Sequence, residues 1–365
     1  MKKNLFSRLL SFALAVCLVF AFTACNQEDS SAPHLPNHDN ALTPKVILFI
    51  GDGMGLNHVY NSELYFEESM YFSGFETKTT VDTNSLSSGY TDSAAAATAM
   101  ATGQRVENGY LAISGSNNLT SITELAKEAE YGTGVVTSDD IIGATPAGFS
   151  AHANSRNNSA EILLSQKESK LDLLLGAGNH SLYKSQFEAN GWTWVKNFSE
   201  LTTESKRYVS LFNEVVPQNP TDEKPTLTQL ACFAIDYMEA NYPTGYFLMI
   251  EGAKIDKASH SNDIQAMLEN MADFNNAVKA VDEKLALIGG GYSIIVTADH
   301  ETGDLQKAES KDKITGGLYR SAKHTAKDVG LYFRSTLDFT PSFLNNEVIL
   351  NTNVFLLCKY LLAIE

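Results

Sequence analysis

Four side chains able to hold a metal ion or carry a proton fall within two residues of short apolar runs. Asp52 follows KVILFIG, Glu251 follows YFLMI, and Asp299 and His300 follow SIIVTA. Apolar runs of this length read as buried parallel strands, and in open α/β sheets ligands gather at the carboxyl ends of the strands. Residues far apart in the chain would therefore meet at one edge of a sheet. Asp256 and His260 lie four apart, on one face of a helix, a spacing that suits a single metal ion. Ser93, in Thr91-Asp92-Ser93, opens an alanine-rich helix whose free backbone N–H groups and positive dipole end favour a phosphate or a developing serine alkoxide. Taken singly, each signal has a plainer reading. Asp92-Ser93 is an ordinary N-cap, GDGMG at 51–55 a tight turn, His300 a structural histidine, and Asp256/His260 a solvated helix face.

The elements that must position these groups alternate. Strands are predicted at Lys45–Ile50, Thr133–Thr137, Tyr246–Ile250 and Ser293–Thr297, and helices at Ala94–Ala101, Ser159–Leu164 and Asp263–Leu287. That order argues for an α/β fold with a mostly parallel central sheet flanked by helices. Residues 181–225 show no clean period and read as a small cap or surface excursion. The chain has 365 residues and a formal net charge of -16. No basic stripe is present, which excludes a nucleic-acid partner. An anionic substrate would need metal ions to reverse the sign of the field in one cleft.

Residues 1–24 read as a lipoprotein signal. Lys2, Lys3 and Arg8 precede an apolar run, and Thr23-Ala24 precede Cys25. The junction resembles a bacterial lipobox, which implies a lipid on Cys25 and an extracytoplasmic, membrane-anchored protein. Residues 25–44, polar and proline-containing, read as a flexible tether to one domain at 45–365. Cys232 and Cys358 sit among apolar neighbours and read as free buried thiols.

Six blocks resemble the alkaline phosphatase family, in its order: GDGMG (51–55), TDSAAAATAMATG (91–103), ATPAGFSAHANSR (144–156), EGAKIDKASH (251–260), TADHETG (297–303) and KHTAKDV (323–329). The resemblance runs from about residue 45 to the end and implies that family's three-layer fold. It implies hydrolysis of phosphate monoesters through a phosphoserine on Ser93. By the same resemblance, one zinc is held by Asp256, His260 and His324, and a second by Asp52, Asp299 and His300. A third, magnesium-type site uses Asp52, Thr145 and Glu251. Arg156 grips the phosphate, Asp92 orients Arg156, and Lys257 lies near the phosphate or its water. Mixed histidine–carboxylate sets suit catalytic zinc, and all-oxygen sets a hard cation.

Gly143 departs from the best-studied bacterial pattern, which has an acidic residue there; this leaves the identity of the third ion open. The short intervals between Arg156 and Glu251, and between His300 and His324, imply a trimmed, open site. Homodimerisation is the family habit. Two other readings remain. One is a phosphodiesterase or phosphonate hydrolase on the same scaffold, against which Ser93 with Thr145 and Glu251 argues. The other is a phosphate-binding lipoprotein without turnover. His58, His152 and His180 read as surface or structural histidines.

Overall fold

The computed structural model describes residues 44–364 apart from 88, 338 and 339. The leader, Cys25 and nearly all of the tether lie outside the described residues. Ten strands form one sheet: β1 (Lys45–Gly51), β2 (Thr77–Asp82), β5 (Gly132–Asp140), β6 (Leu173–Ala177), β7 (Trp192–Val195), β8 (Arg207–Ser210), β9 (Tyr246–Gly252), β10 (Tyr292–Ala298), β13 (Val329–Ser335) and β14 (Val348–Leu350). Two short ribbons stand apart, β3 (Ile113–Ser114) with β4 (Asn117–Asn118) and β11 (Glu301–Thr302) with β12 (His324–Thr325). The sheet order is β14-β2-β13-β10-β1-β9-β5-β6-β8-β7. Only β13 runs against its neighbours; the other pairings in the sheet are parallel.

β1, β9 and β10 are buried at every position. A strand can be apolar throughout only if both its faces are covered, which is why these three read as unbroken hydrophobic runs. Helices Leu227–Asn241 and Ile264–Ile288 pack on each other and on β9. Phe274 of the long helix meets Phe49 of β1 edge-on at 5.9 Å. It also lies over Gly252, where a Cβ would come within 2.7 Å of its ring. A second helical group includes Ser93–Thr102, Ala144–Gly148 and Thr352–Leu361. The seven elements read from the sequence are all present, each extended or shifted by a few residues, with Asp263 as the N-cap of the long helix.

The segment 181–225 contains β7 and β8, which continue the sheet beyond β6 to its far edge. Their periodicity is hard to read because the strands are four residues each and loops separate them. Cys232 is half-buried and Cys358 buried, and both are free thiols.

Candidate active site

The helix Ser93–Thr102 is buried along its whole length. Its alanines permit close approach: a Cβ on Gly148 of the neighbouring helix would lie 2.8 Å from the Ala97 Cβ. Asp92 is the N-cap in extended conformation, and its Oδ1 accepts from the N–H groups of Ala95 (3.0 Å) and Gly109 (3.1 Å). Its Oδ2 accepts from a guanidinium N–H of Arg156 at 3.0 Å. Arg156 comes from an arm laced to residues 109–112. Its own N–H donates to Gly109 O (2.8 Å), and Ala153 and Leu111 exchange backbone bonds of 3.0 and 3.1 Å. The cap and the guanidinium are thus fixed by the same carboxylate.

Ser93 Oγ lies 3.2 Å from His300 Nε2. Asp52, Glu251 and Asp299–His300 stand at the ends of the adjacent strands β1, β9 and β10, as the strand-end argument requires. Gly53 makes the turn after β1 with φ +73°, and a Cβ there would press on Asp256 Cα at 2.9 Å. This glycine therefore brings the β1 turn and the helix Lys254–His260 together. His324 is delivered by the β11–β12 ribbon, where it pairs with Thr302.

Two clusters result. In the first, Asp52, Asp299 and His300 present ligand atoms within 4.8 Å of one another, all buried. His300 Nε2 is 3.2 Å from Asp299 Oδ2 and 3.6 Å from Asp52 Oδ1, yet both oxygens lack a hydrogen-bond partner. In the second, His324 Nε2 lies 3.1 Å from His260 Nε2 and 3.6 Å from Asp256 Oδ1, and His260 Nε2 lies 3.3 Å from Asp256 Oδ2. His300 also falls within reach of Asp256 and His324, and its ring stacks on His324 at 3.6 Å, so it stands between the clusters. His260 Nδ1 donates to Ala322 O and His324 Nδ1 to Thr91 O. Both Nε2 lone pairs therefore face one another, an arrangement that repels unless a cation or a proton lies between. Their spacing is close to the roughly 3.3 Å between two nitrogens on a tetrahedral zinc.

Thr302 fixes the remaining ring. Its hydroxyl donates to Asp256 Oδ1 at 2.5 Å, so His300 Nδ1 must be the donor to Thr302 Oγ1 at 3.3 Å. That leaves the His300 Nε2 lone pair aimed at Ser93 and the first cluster. The third group, Asp52, Thr145 and Glu251, offers oxygens only. Thr145 is buried with its hydroxyl unpartnered by any well-formed bond, while Glu251 accepts from Thr137 Oγ1. Unpaired buried oxygens are costly, and a divalent cation removes the cost, so both the histidine clusters and the oxygen group fit metal ions.

Electrostatics point the same way. Burial, reinforced by the charges of Asp299, Asp256 and Glu251, raises the Asp52 carboxyl well above its usual range. Burial lifts Glu251 to about 8 and Asp299 to about 6. Burial lowers His300 to about 4, so it stands neutral at pH 7. The Asp256 bond raises His260 to about 8, and bonds and charges from the imidazoles hold Asp256 low despite its burial.

Asp139, Thr137 and Thr302 escaped the sequence reading, whereas Lys257 was among its candidates. Lys257 is mostly exposed and ion-paired with Asp139, at the end of β5 where the register shifts between Val136 and Asp140. A β-bulge of this kind re-aims side chains beside active sites. Asp139 therefore supplies a carboxylate near Glu251 that Gly143 does not. A threonine beside a ligand, such as Thr302 or Thr137, carries no spacing signal. His58 is buried against Ser259 Oγ at 3.0 Å, and His180 pairs with Asp140 at 2.8 Å. A groove of about 860 Å³ between the β3–β4 ribbon and helices Ile122–Glu128 and Ser159–Glu168 includes His152 but none of the clustered ligands.

Comparison with known proteins gives the same family. The family model described as alkaline phosphatase matches residues 44–336. Alkaline phosphatase 4 of Bacillus subtilis is 30% identical over 331 residues, covering 82% of this chain and 71% of that protein. Alkaline phosphatase 3 of the same organism is 29% identical over 326 residues, covering 81% and 69%. The solved alkaline phosphatase of the Antarctic bacterium TAB5 superposes with a TM-score of 0.75 at 25% identity, covering 89% of this chain and 99% of that one. A variant of that enzyme has magnesium bound in the site termed M3. With its match running through every block that carries a clustered side chain, this chain belongs to the alkaline phosphatase family, enzymes that act on phosphorylated substrates.

Proposed function

We propose that the protein hydrolyses phosphate monoesters with Ser93 as nucleophile, two zinc ions and a third, magnesium-type cation. The observation that carries this reading is the placement of Ser93 Oγ beside His300 at a helix N-terminus, with Arg156 held alongside by Asp92. Asp52, Asp299 and His300 would hold one zinc, Asp256, His260 and His324 the other, and Asp52, Thr145 and Glu251 the third ion. Bound there, such ions would supply positive charge for the reaction and would lower the pKa of hydroxyl and water.

The protein's own residues do the rest. Arg156 binds two phosphate oxygens with its planar fork while Asp92 keeps it from turning away. The free N–H groups at the start of the Ser93 helix face the same anion. Ser93 Oγ loses its proton and bonds to phosphorus as the bond to the ester oxygen breaks; the departing alcohol takes up a proton. Water then attacks the phosphoserine, and the serine leaves and is reprotonated. Lys257, steered by Asp139, stands at the rim of the site.

Phosphate release from p-nitrophenyl phosphate by zinc- and magnesium-loaded protein is the test. Loss of turnover with a chelator, and by at least a thousandfold in Ser93→Ala, is expected. No turnover by the loaded protein would favour phosphate binding without catalysis, and faster cleavage of a phosphate bis-ester would favour the diesterase reading. Lipid on Cys25, an extracytoplasmic anchored location and homodimerisation are part of the same proposal. Mass spectrometry of the native N-terminus and sedimentation of the soluble domain test them.

A further inference from the structure

Tyr90 is 40% exposed, although a ring of that size is usually buried or partnered. Its backbone is not free. Asn108 Nδ2 donates to Tyr90 O at 2.9 Å, and Asn108 Oδ1 accepts from the N–H of Asp92 at 3.2 Å, so one side chain clamps the residue to the N-cap of the Ser93 helix. The Tyr90 ring stands edge to face with His324, centroids 6.0 Å apart at 62°. His324 is tied in turn to the next carbonyl, Thr91 O. The structure thus holds an aromatic ring on a fixed backbone, beside a cluster imidazole, with much of its surface unoccupied.

The side on which it stands matters. Ser93 lies against His300, and His324 and His260 follow on from there, with His324 stacked on His300. An in-line displacement sends the departing alcohol away from the attacking oxygen, and so toward the His260–His324 cluster. Tyr90 packs against His324 of that cluster.

Resting on the phosphomonoesterase reading, we propose that Tyr90 is a specificity-determining residue that stacks on a flat aromatic ring in the alcohol part of the substrate. The favoured esters are those of aryl-bearing or nucleoside alcohols, over aliphatic and sugar phosphates of equal reactivity. Stacking of this kind is worth about 1–1.5 kcal/mol, or roughly five- to tenfold in kcat/KM.

Matched pairs separate stacking from leaving-group chemistry. A nucleoside 5′-monophosphate is compared with ribose 5-phosphate, and benzyl phosphate with cyclohexylmethyl phosphate. Within each pair the alcohol is primary and similar in basicity. The wild-type protein and Tyr90→Leu, Tyr90→Ala and Tyr90→Phe variants are assayed with zinc content measured throughout. The expected result is a roughly five- to tenfold loss in kcat/KM for the aromatic member of at least one pair in the Leu and Ala variants. The saturated member stays within twofold, and Phe retains the preference. The pair that responds tells whether the ring lies next to the ester, as in benzyl, or a sugar's length away, as in a nucleoside. Equal changes for both members of both pairs, or no change in either, would overturn the proposal. Inactivity of the loaded wild type on all four esters would instead sink the monoesterase reading on which it rests.

Discussion

At the scale of single residues, the side chain that decides the most while touching neither the phosphate nor the nucleophile is Thr302. Its hydroxyl passes orientation from Asp256 to His300 and so aims a lone pair at Ser93. Thr302→Val keeps the shape and removes the relay. Zinc affinity should fall about 10- to 100-fold, the usual cost of losing a partner that orients a ligand. Equilibrium dialysis with metal analysis checks this, and unchanged affinity would mean that the His300 ring is held by packing alone. Strand-end position was the legible part of the site. Asp52, Glu251, Asp299 and His300 stand out in the sequence because unbroken apolar runs end just before them. Thr302, Asp139 and Tyr90 do not stand out. Their importance comes from which distant element they touch, and the local pattern holds no trace of that.

At the scale of elements, the arm that carries Arg156 depends on His152. The His152 N–H donates to Ser165 Oγ at 2.9 Å, while its ring nitrogens face Ala112 O at 2.9 Å and Glu124 Oε1 at 3.0 Å. Two acceptors on one ring require both nitrogens to carry protons. Burial opposes that charge, but the Glu124 and Ala112 bonds outweigh it and raise the His152 pKa. Because the folded value is raised, this tether's contribution to stability is complete below the ordinary histidine pKa and is lost as pH rises through the folded value. The tether adds to the backbone bonds that lace the arm to residues 109–112, and it faces the groove. His152→Asn should therefore raise KM several-fold with kcat within about twofold, and should add nothing in an Arg156→Ala background. A further loss in that background would show that His152 acts elsewhere. The sequence announced the strands of the sheet centre because burial on both faces removes their polar positions. It was mute about β2, whose TKTTVD is mostly half-exposed, and about the four-residue strands β8 and β7, the latter at the sheet's edge.

At the scale of the whole molecule, the acidic cluster sets a conflict between folding and charge. Asp52, Asp299 and Glu251 are raised chiefly by burial, so in chelator the folded state prefers them protonated. Their stabilising contribution is whole below the ordinary carboxylate range and is lost as pH rises through about 6 for Asp299 and about 8 for Glu251. The melting temperature in chelator should therefore fall between pH 5 and pH 8, and zinc with magnesium should restore it. Calorimetry at several pH values checks this; a flat profile in chelator would mean that the carboxylates are relieved by water instead. The β11–β12 ribbon adds an order in time. It carries His324, the last of the cluster in the chain, and it is only a pair of two-residue strands. A polypeptide emerging from its amino end exposes Asp52 and Ser93 long before His324 exists. The second histidine cluster is then completed only once nearly all of the domain has been made, and an ion seated there would tie the helix that carries Asp256 and His260 to the late ribbon. His324→Ala, which spares the rest of the sheet, should lower the zinc content and slow the last phase of refolding in zinc, as metal analysis and refolding kinetics would show.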